Sequence, residues 1–151
     1  MATSAQARTP IHIWIVGILA LLWNGFGCYD YFMTRTNGAA YIDSMMHTDQ
    51  GSAIMAYING FPIWVSAAWG FGVWGGLAGS ILLVMRSRHA VAAFAVSAIG
   101  AVVGLGWQIL NPSGIAEMSE TVNRVMPYVI IVVAVALFLY ARAVEKKGLL
   151  R

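Results

Sequence analysis

The segment Ile11–Met33 reads IHIWIVGILALLWNGFGCYDYFM and is apolar over almost its whole length. At a helical rise of about 1.5 Å per residue, a segment of this length crosses a hydrocarbon core of about 30 Å with some tilt. We therefore expect Ile11–Met33 to be a membrane span. The stretch from Trp23 to Tyr31 also holds the densest run of unusual residues in the chain, so functional residues are expected at this end of the span.

The composition of the chain indicates a membrane protein. Of the 151 residues, 60% are hydrophobic and 10% are charged, and the mean hydropathy is +0.73. A soluble domain typically has about a quarter of its residues charged, so we predict one membrane domain, residues 1–151, embedded in the lipid bilayer. The net charge of +3 is carried by basic residues at the ends of apolar segments. That placement is a topology signal, and no nucleic-acid partner is expected.

Three further apolar segments complete the predicted fold. They cover about residues 61–85, 90–110 and 125–143. Because only a very short connection, Arg86–His89, separates the second span from the third, these two spans should run antiparallel side by side. The predicted fold class is all-α, an integral membrane four-helix bundle with short amphipathic surface helices in its outer loops.

The longer loops carry helical periodicity. Asn37-Gly38 is expected to end the first helix, since glycine commonly takes the left-handed conformation there. Two sets of apolar residues then predict two short surface helices, separated near Gly51-Ser52. These sets are Tyr41, Ile42, Met45 and Met46, and then Ile54, Tyr57, Ile58 and Phe61. A further surface helix, from Ile115 to Met126, should lead into the fourth span through a bend at Pro127.

Small residues recur on one face of the second span and of the third. Such residues let helix backbones approach closely in a membrane, so we predict that these two spans form the tightest pair. The predicted packing residues are Gly72, Gly76 and Ser80 in the second span and Ser97, Gly100 and Gly104 in the third.

The distribution of Lys and Arg predicts the orientation. Seven basic residues fall on one side of the predicted membrane and two on the other: Arg8, Arg86, Arg88, Arg142, Lys146, Lys147 and Arg151 against Arg35 and Arg124. Because cytoplasmic loops carry the excess of positive charge, both termini should be cytoplasmic. We expect a multi-pass protein of a bacterial inner membrane.

Two polar residues of the first span are candidates for function. Asp30 lies roughly 28 Å along the helix from Ile11, near the outer headgroups, where an acid that sets helix depth is favoured over one linked to protons or substrate. Asn24 lies deeper, and its amide needs a partner inside the protein. A hydrogen bond between helices is favoured over a contact that lines a small cavity.

Aromatic and amide residues could surround Asp30 at the outer side. Trp107 and Gln108 end the third span and would face Asp30 and Tyr31 if the first and third spans touch. Rings and amides around an acid suit a polyol or sugar. The same residues also make an ordinary aromatic belt, which we favour.

No catalytic, metal or cofactor site is predicted. Asp43 and His47 are four residues apart, but two or three scattered ligands are more typical of a solvated polar face. HExxH, P-loop, GxSxG and CxxC patterns are absent from the sequence. This absence argues against an enzyme, and we expect neither a metal nor a cofactor.

Two stretches carry a resemblance to a known group. LALLWNGFGCYDYFMT and FPIWVSAAWGFGVWGGLAGSILLVMRSRHAVAAFAVS resemble a group of uncharacterised small bacterial four-span inner-membrane proteins, some of which carry the automatic label of sugar transporter. The resemblance covers roughly residues 11 to 108. It implies four spans and a role in transport, and it supplies no catalytic or binding residues.

Two function classes stay open. The favoured class is a non-catalytic accessory or structural membrane component that packs against a membrane-protein partner, because no charge or pair of broken helices lies in the middle of the membrane. The alternative is a small solute transporter for sugar-like molecules. It would be a homo-oligomer, with an outer vestibule lined by Asn24, Asp30, Tyr31 and Gln108.

Overall fold

A computed structural model describes residues 9–151 as an all-helical chain. Five α-helices and one 3-10 turn follow in order: α1 Ile11–Met46, α2 Gly51–Asn59, α3 Ile63–Val84, α4 His89–Leu110, the turn Glu117–Ser119, and α5 Thr121–Lys146. Four of them, α1, α3, α4 and α5, are long and apolar enough to cross a membrane. The predicted four-helix bundle is confirmed.

The predicted break of the first helix at Asn37-Gly38 is confirmed. Gly38 takes a non-helical conformation, with φ 54° and ψ −129°, and a second helical segment follows it to Met46, so α1 consists of two helical parts joined by a kink. Glycine tolerates a positive φ at such a point, where a residue with a Cβ would be strained. His47 ends the helix at φ 52°. The first predicted surface helix is therefore the last part of α1.

The surface helix predicted from Ile115 to Met126 does not form as a separate element, because only its second half is helical and belongs to α5. Only the 3-10 turn lies before α5, and Pro127 lies inside α5. The backbone N–H of Ile115 donates to Ser113 Oγ at 3.1 Å, and Gly114 has a φ of 74°. Local bonds of this kind compete with helix formation, so the periodic apolar residues are divided between a turn and the start of α5.

The bundle is ordered α1, α3, α4, α5. The most extensive contact between helices joins α3 to α4, as predicted, and α1 packs on α3 while α5 packs on α4. Gly100 is central to the α3–α4 contact, since a Cβ built there would lie 2.5 Å from the backbone oxygen of Ala68 and the backbone nitrogen of Gly72. Ser97 Oγ donates to the Gly72 carbonyl at 2.6 Å. Gly104 also belongs to this contact, because a Cβ there would lie 3.4 Å from the backbone nitrogen of Trp69.

All four long helices converge at the end where α1 begins. Ile13, Leu83, Phe94 and Val144 come from α1, α3, α4 and α5 and belong to one buried cluster. We call this the basic end, because the α3–α4 loop and the carboxyl-terminal segment, with Arg86, Arg88, Arg142, Lys146, Lys147 and Arg151, all lie there. The opposite end is the α2 end.

The carboxyl-terminal segment is bound to the α3–α4 loop. The Arg88 N–H donates to the Arg151 carbonyl at 3.0 Å, and the Arg151 N–H donates to the Arg86 carbonyl at 2.8 Å. The Arg86 guanidinium donates to the Leu149 carbonyl at 3.1 and 3.2 Å. The basic residues that the sequence assigned to these two segments therefore share one end of the bundle.

Candidate functional site

Asn24 lies in the contact between α1 and α3. Its Nδ2 donates to the Ala20 carbonyl at 2.9 Å and to Ser80 Oγ at 3.0 Å. Ser80 is fully buried, and its hydroxyl donates to the Gly76 carbonyl at 2.8 Å. Gly76 leaves the space that the Asn24 amide occupies, because a Cβ on Gly76 would overlap Asn24 Oδ1. Asn24 is thus engaged in a hydrogen bond between helices, and Gly76 and Ser80 accommodate it.

Asp30 binds a residue beyond the kink in its own helix. The Tyr41 hydroxyl donates to Asp30 Oδ1 at 2.9 Å, and the Tyr41 side chain is buried. The Tyr29 ring meets the Tyr41 ring edge to face, with centroids 6.2 Å apart. Because Gly38 turns the chain between Asp30 and Tyr41, this bond holds the last part of α1 against the span.

Tyr31 belongs to an aromatic group between α1 and α3. Its ring lies 4.8 Å from the Trp69 ring and 6.4 Å from the Trp74 ring, both edge to face. The Arg35 guanidinium lies over two of these rings, 5.7 Å from the Tyr31 centroid and 5.1 Å from the Trp69 centroid. Such a cation–π arrangement is attractive. Trp69 and Arg35 were not predicted, although the four-residue spacing of Tyr31 and Arg35 was a signal for their contact.

Trp107 lies on a different side of the α2 end. Its ring stacks on Tyr57 of α2, with centroids 6.5 Å apart, and meets Phe61 at 5.3 Å. The Tyr57 hydroxyl donates to the Asn111 carbonyl at 2.8 Å, and burial raises the pKa of Tyr57. These contacts tie α2 to the end of α4.

Gln108 lines a groove of about 650 Å³ between the end of α4 and the start of α5. We call it the α4–α5 groove. Its lining comes from α4, from the segment between the two helices, from the first turns of α5, and from α2 at one edge: Tyr57, Gln108, Ile109, Pro112, Ser113, Met118, Ser119, Thr121, Asn123, Arg124, Val125, Pro127 and Tyr128.

The residues predicted to line an outer vestibule do not come together within the chain. Their expected meeting depended on contact between the first and third spans, whereas α1 packs mainly on α3, and α3 packs on α4. Asn24 and Tyr31 contact α3, Asp30 contacts Tyr41, and Gln108 lines the α4–α5 groove. The structure thus divides the predicted residues among four separate environments.

The metal-ligating residues of the described chain do not gather. No group of three or more His, Cys, Asp or Glu side chains within residues 9–151 could hold a metal ion. The Asp43 carboxylate instead accepts the Gly51 N–H at 2.6 Å and joins α1 to α2. Cys28 is buried, and its thiol lies 3.5 Å from the Val73 carbonyl.

No protein-family model, curated protein or solved structure matches this chain. Function therefore has to be inferred from the placement of its own residues.

Proposed function

We propose that this chain is a non-catalytic accessory or structural component of a bacterial inner membrane and that it binds another membrane protein through α1 or α5. One observation carries the proposal. Only 6% of the apolar span of α5 is buried, against 22% for α1, 22% for α3 and 39% for α4. α5 therefore leaves the longest apolar surface on which a second membrane protein can pack, and α1, which packs on α3 at the other edge of the helix order, leaves a further one.

The polar residues inside the spans support a role without solute passage. Asn24 and Ser80 bind each other, and the Ser97 hydroxyl binds the Gly72 carbonyl. Polar groups that mark a pathway normally face a cavity or the interior of a bundle. In this chain they link neighbouring helices instead.

The orientation forms part of the proposal. Because the basic end holds most of the positive charge, the positive-inside rule puts it in the cytoplasm with both termini. The α2 end, with its surface helix and aromatic residues, then lies on the outer side. Labelling of a single cysteine, introduced at Ser52 in α2 or at Gly148 after α5 in a Cys28→Ala background, with a membrane-impermeant maleimide on intact cells, tests this arrangement. The proposal requires that Ser52→Cys is labelled and that Gly148→Cys is not.

Site-specific photo-cross-linking in living cells tests the accessory role. A photoreactive amino acid would replace Val132 of α5 or Phe26 of α1, which are 65% and 58% exposed, with Phe71 of α3, 64% exposed, as the matched control. We expect a discrete cross-link to one other membrane protein from α5 or α1, and only lipid adducts from α3. Lipid adducts at all three positions would overturn the proposal.

A small homo-oligomeric transporter of a sugar-like solute is the second candidate. The α4–α5 groove favours it, since about 650 Å³ lies within the range of about 300–1,000 Å³ common for small-molecule sites. Native mass spectrometry in the protein's own lipids would identify a retained solute. A homo-oligomer that carries a solute would support transport, and a proton-coupled uptake should then be lost in Asp30→Asn, whereas an accessory protein would keep its partner in this variant.

A further inference from the structure

The α4–α5 groove has a lining that separates into a polar part and an apolar part. Hydroxyl and amide groups come from Ser113, Thr121 and Gln108, while Ile109 and Val125 contribute aliphatic surface. A site with both kinds of surface fits an amphiphile better than a fully polar or a fully apolar ligand.

Arg124 is the one charged residue among the described residues that line the groove. It is exposed, and no carboxylate lines the groove beside it. Its backbone N–H donates to the Glu120 carbonyl at 2.9 Å in the first turn of α5, so the start of the helix fixes its position. A guanidinium favours phosphate and carboxylate groups, to which it can donate two hydrogen bonds at once. The polar part of the groove therefore favours an anion.

The groove is formed where one candidate span, α4, ends and the next, α5, begins. In a bilayer crossed by these spans, it would lie at the level of the lipid headgroups. Val129 and Val132, on α5 beyond the groove, are exposed and apolar and can contact an acyl chain. The charged part of a lipid bound here would thus reach Arg124 while its chains stay in the bilayer.

We propose that the α4–α5 groove binds the anionic headgroup of a membrane phospholipid, with its phosphate at Arg124. This site goes beyond the proposed accessory function and does not depend on it. A phospholipid is favoured over a soluble anion because the groove has an apolar part as well as Arg124 and adjoins the bilayer.

Native mass spectrometry after lipid exchange tests the proposal. Full-length protein would be equilibrated with equal amounts of phosphatidylglycerol and phosphatidylcholine, and the ratio of the two bound lipids would be measured. We expect the wild type to prefer phosphatidylglycerol, because its headgroup lacks the choline cation that Arg124 repels, and Arg124→Gln to lose about two- to fivefold of that preference, the scale of one exposed charge interaction. Arg124→Lys should keep most of it, because the charge is retained.

Arg142→Gln is the matched control. Arg142 lies on the same helix at the basic end and is also exposed, so its loss removes one charge without touching the groove. The proposal requires that this variant keeps the lipid preference of the wild type. An equal decrease in both variants, no decrease in Arg124→Gln, or displacement of phosphatidylglycerol by soluble glycerol phosphate at equal concentration would each overturn it.

Discussion

Replacing Gly100 with alanine should push α3 and α4 apart. The new Cβ would lie 2.5 Å from both the Ala68 carbonyl oxygen and the Gly72 nitrogen, and 2.8 Å from the Gly72 Cα. All three neighbours are backbone atoms, so a side-chain rotation cannot relieve the overlap. The two helices must separate by several tenths of an ångström to reach ordinary contact distances.

The expected cost follows from this separation. Overpacking a well-packed contact typically costs about 1–3 kcal/mol. The gain in helix propensity from glycine to alanine is about 1 kcal/mol in water. It offsets little of this cost when unfolding is measured in SDS, because the SDS-denatured state retains helices. We therefore expect Gly100→Ala to lower the free energy of unfolding by about 1–3 kcal/mol.

Gly106→Ala is a matched control on the same helix, since a Cβ there would have no neighbour within 4 Å. Unfolding of both variants would be followed by tryptophan fluorescence during SDS titration in mixed micelles. Gly106→Ala should stay within about 0.5 kcal/mol of the wild type, as is usual for a substitution away from packed features. Equal unfolding midpoints for Gly100→Ala and Gly106→Ala would refute the close approach of α3 and α4.

Two hydrogen bonds give further predictions. A double-mutant cycle with Asn24→Ala and Ser80→Ala, measured by SDS unfolding, should show a coupling energy of about 0.6 kcal/mol and at most about 1.7 kcal/mol. This is the range for hydrogen bonds between membrane helices. A coupling energy of zero would contradict the hydrogen bond. Tyr41→Phe should release the end of α1 from Asp30 and raise amide hydrogen exchange in residues 39–46 roughly tenfold, as loss of a bond to a charged acceptor predicts. Tyr29→Phe keeps its ring against Tyr41, so exchange as fast in this control would exclude the Tyr41 hydroxyl as the cause.

The spans could be predicted because each is specified by its own residues. The second and third spans were placed within two residues of α3 and α4, since length and apolar composition alone determine whether a segment can cross a bilayer. The tight α3–α4 pair also followed from local information. A connection as short as Arg86–His89 leaves few places for the third span, and the small residues on both helices allow them to meet.

The site residues could not be placed because their surroundings depend on the order of the helices. Trp107 and Asp30 both lie toward the α2 end. Their positions along the predicted spans do not show whether α3 lies between their helices. The observed order, with α3 between α1 and α4, separates the two residues. Asp30 contacts Tyr41, and Trp107 contacts Tyr57. Arg124 is a further case, because the groove that it lines is formed by the irregular segment before α5 together with the end of α4. The surroundings of a polar residue near the end of a span therefore depend on the loop beside it. The periodicity of the residue's own helix does not predict the conformation of that loop.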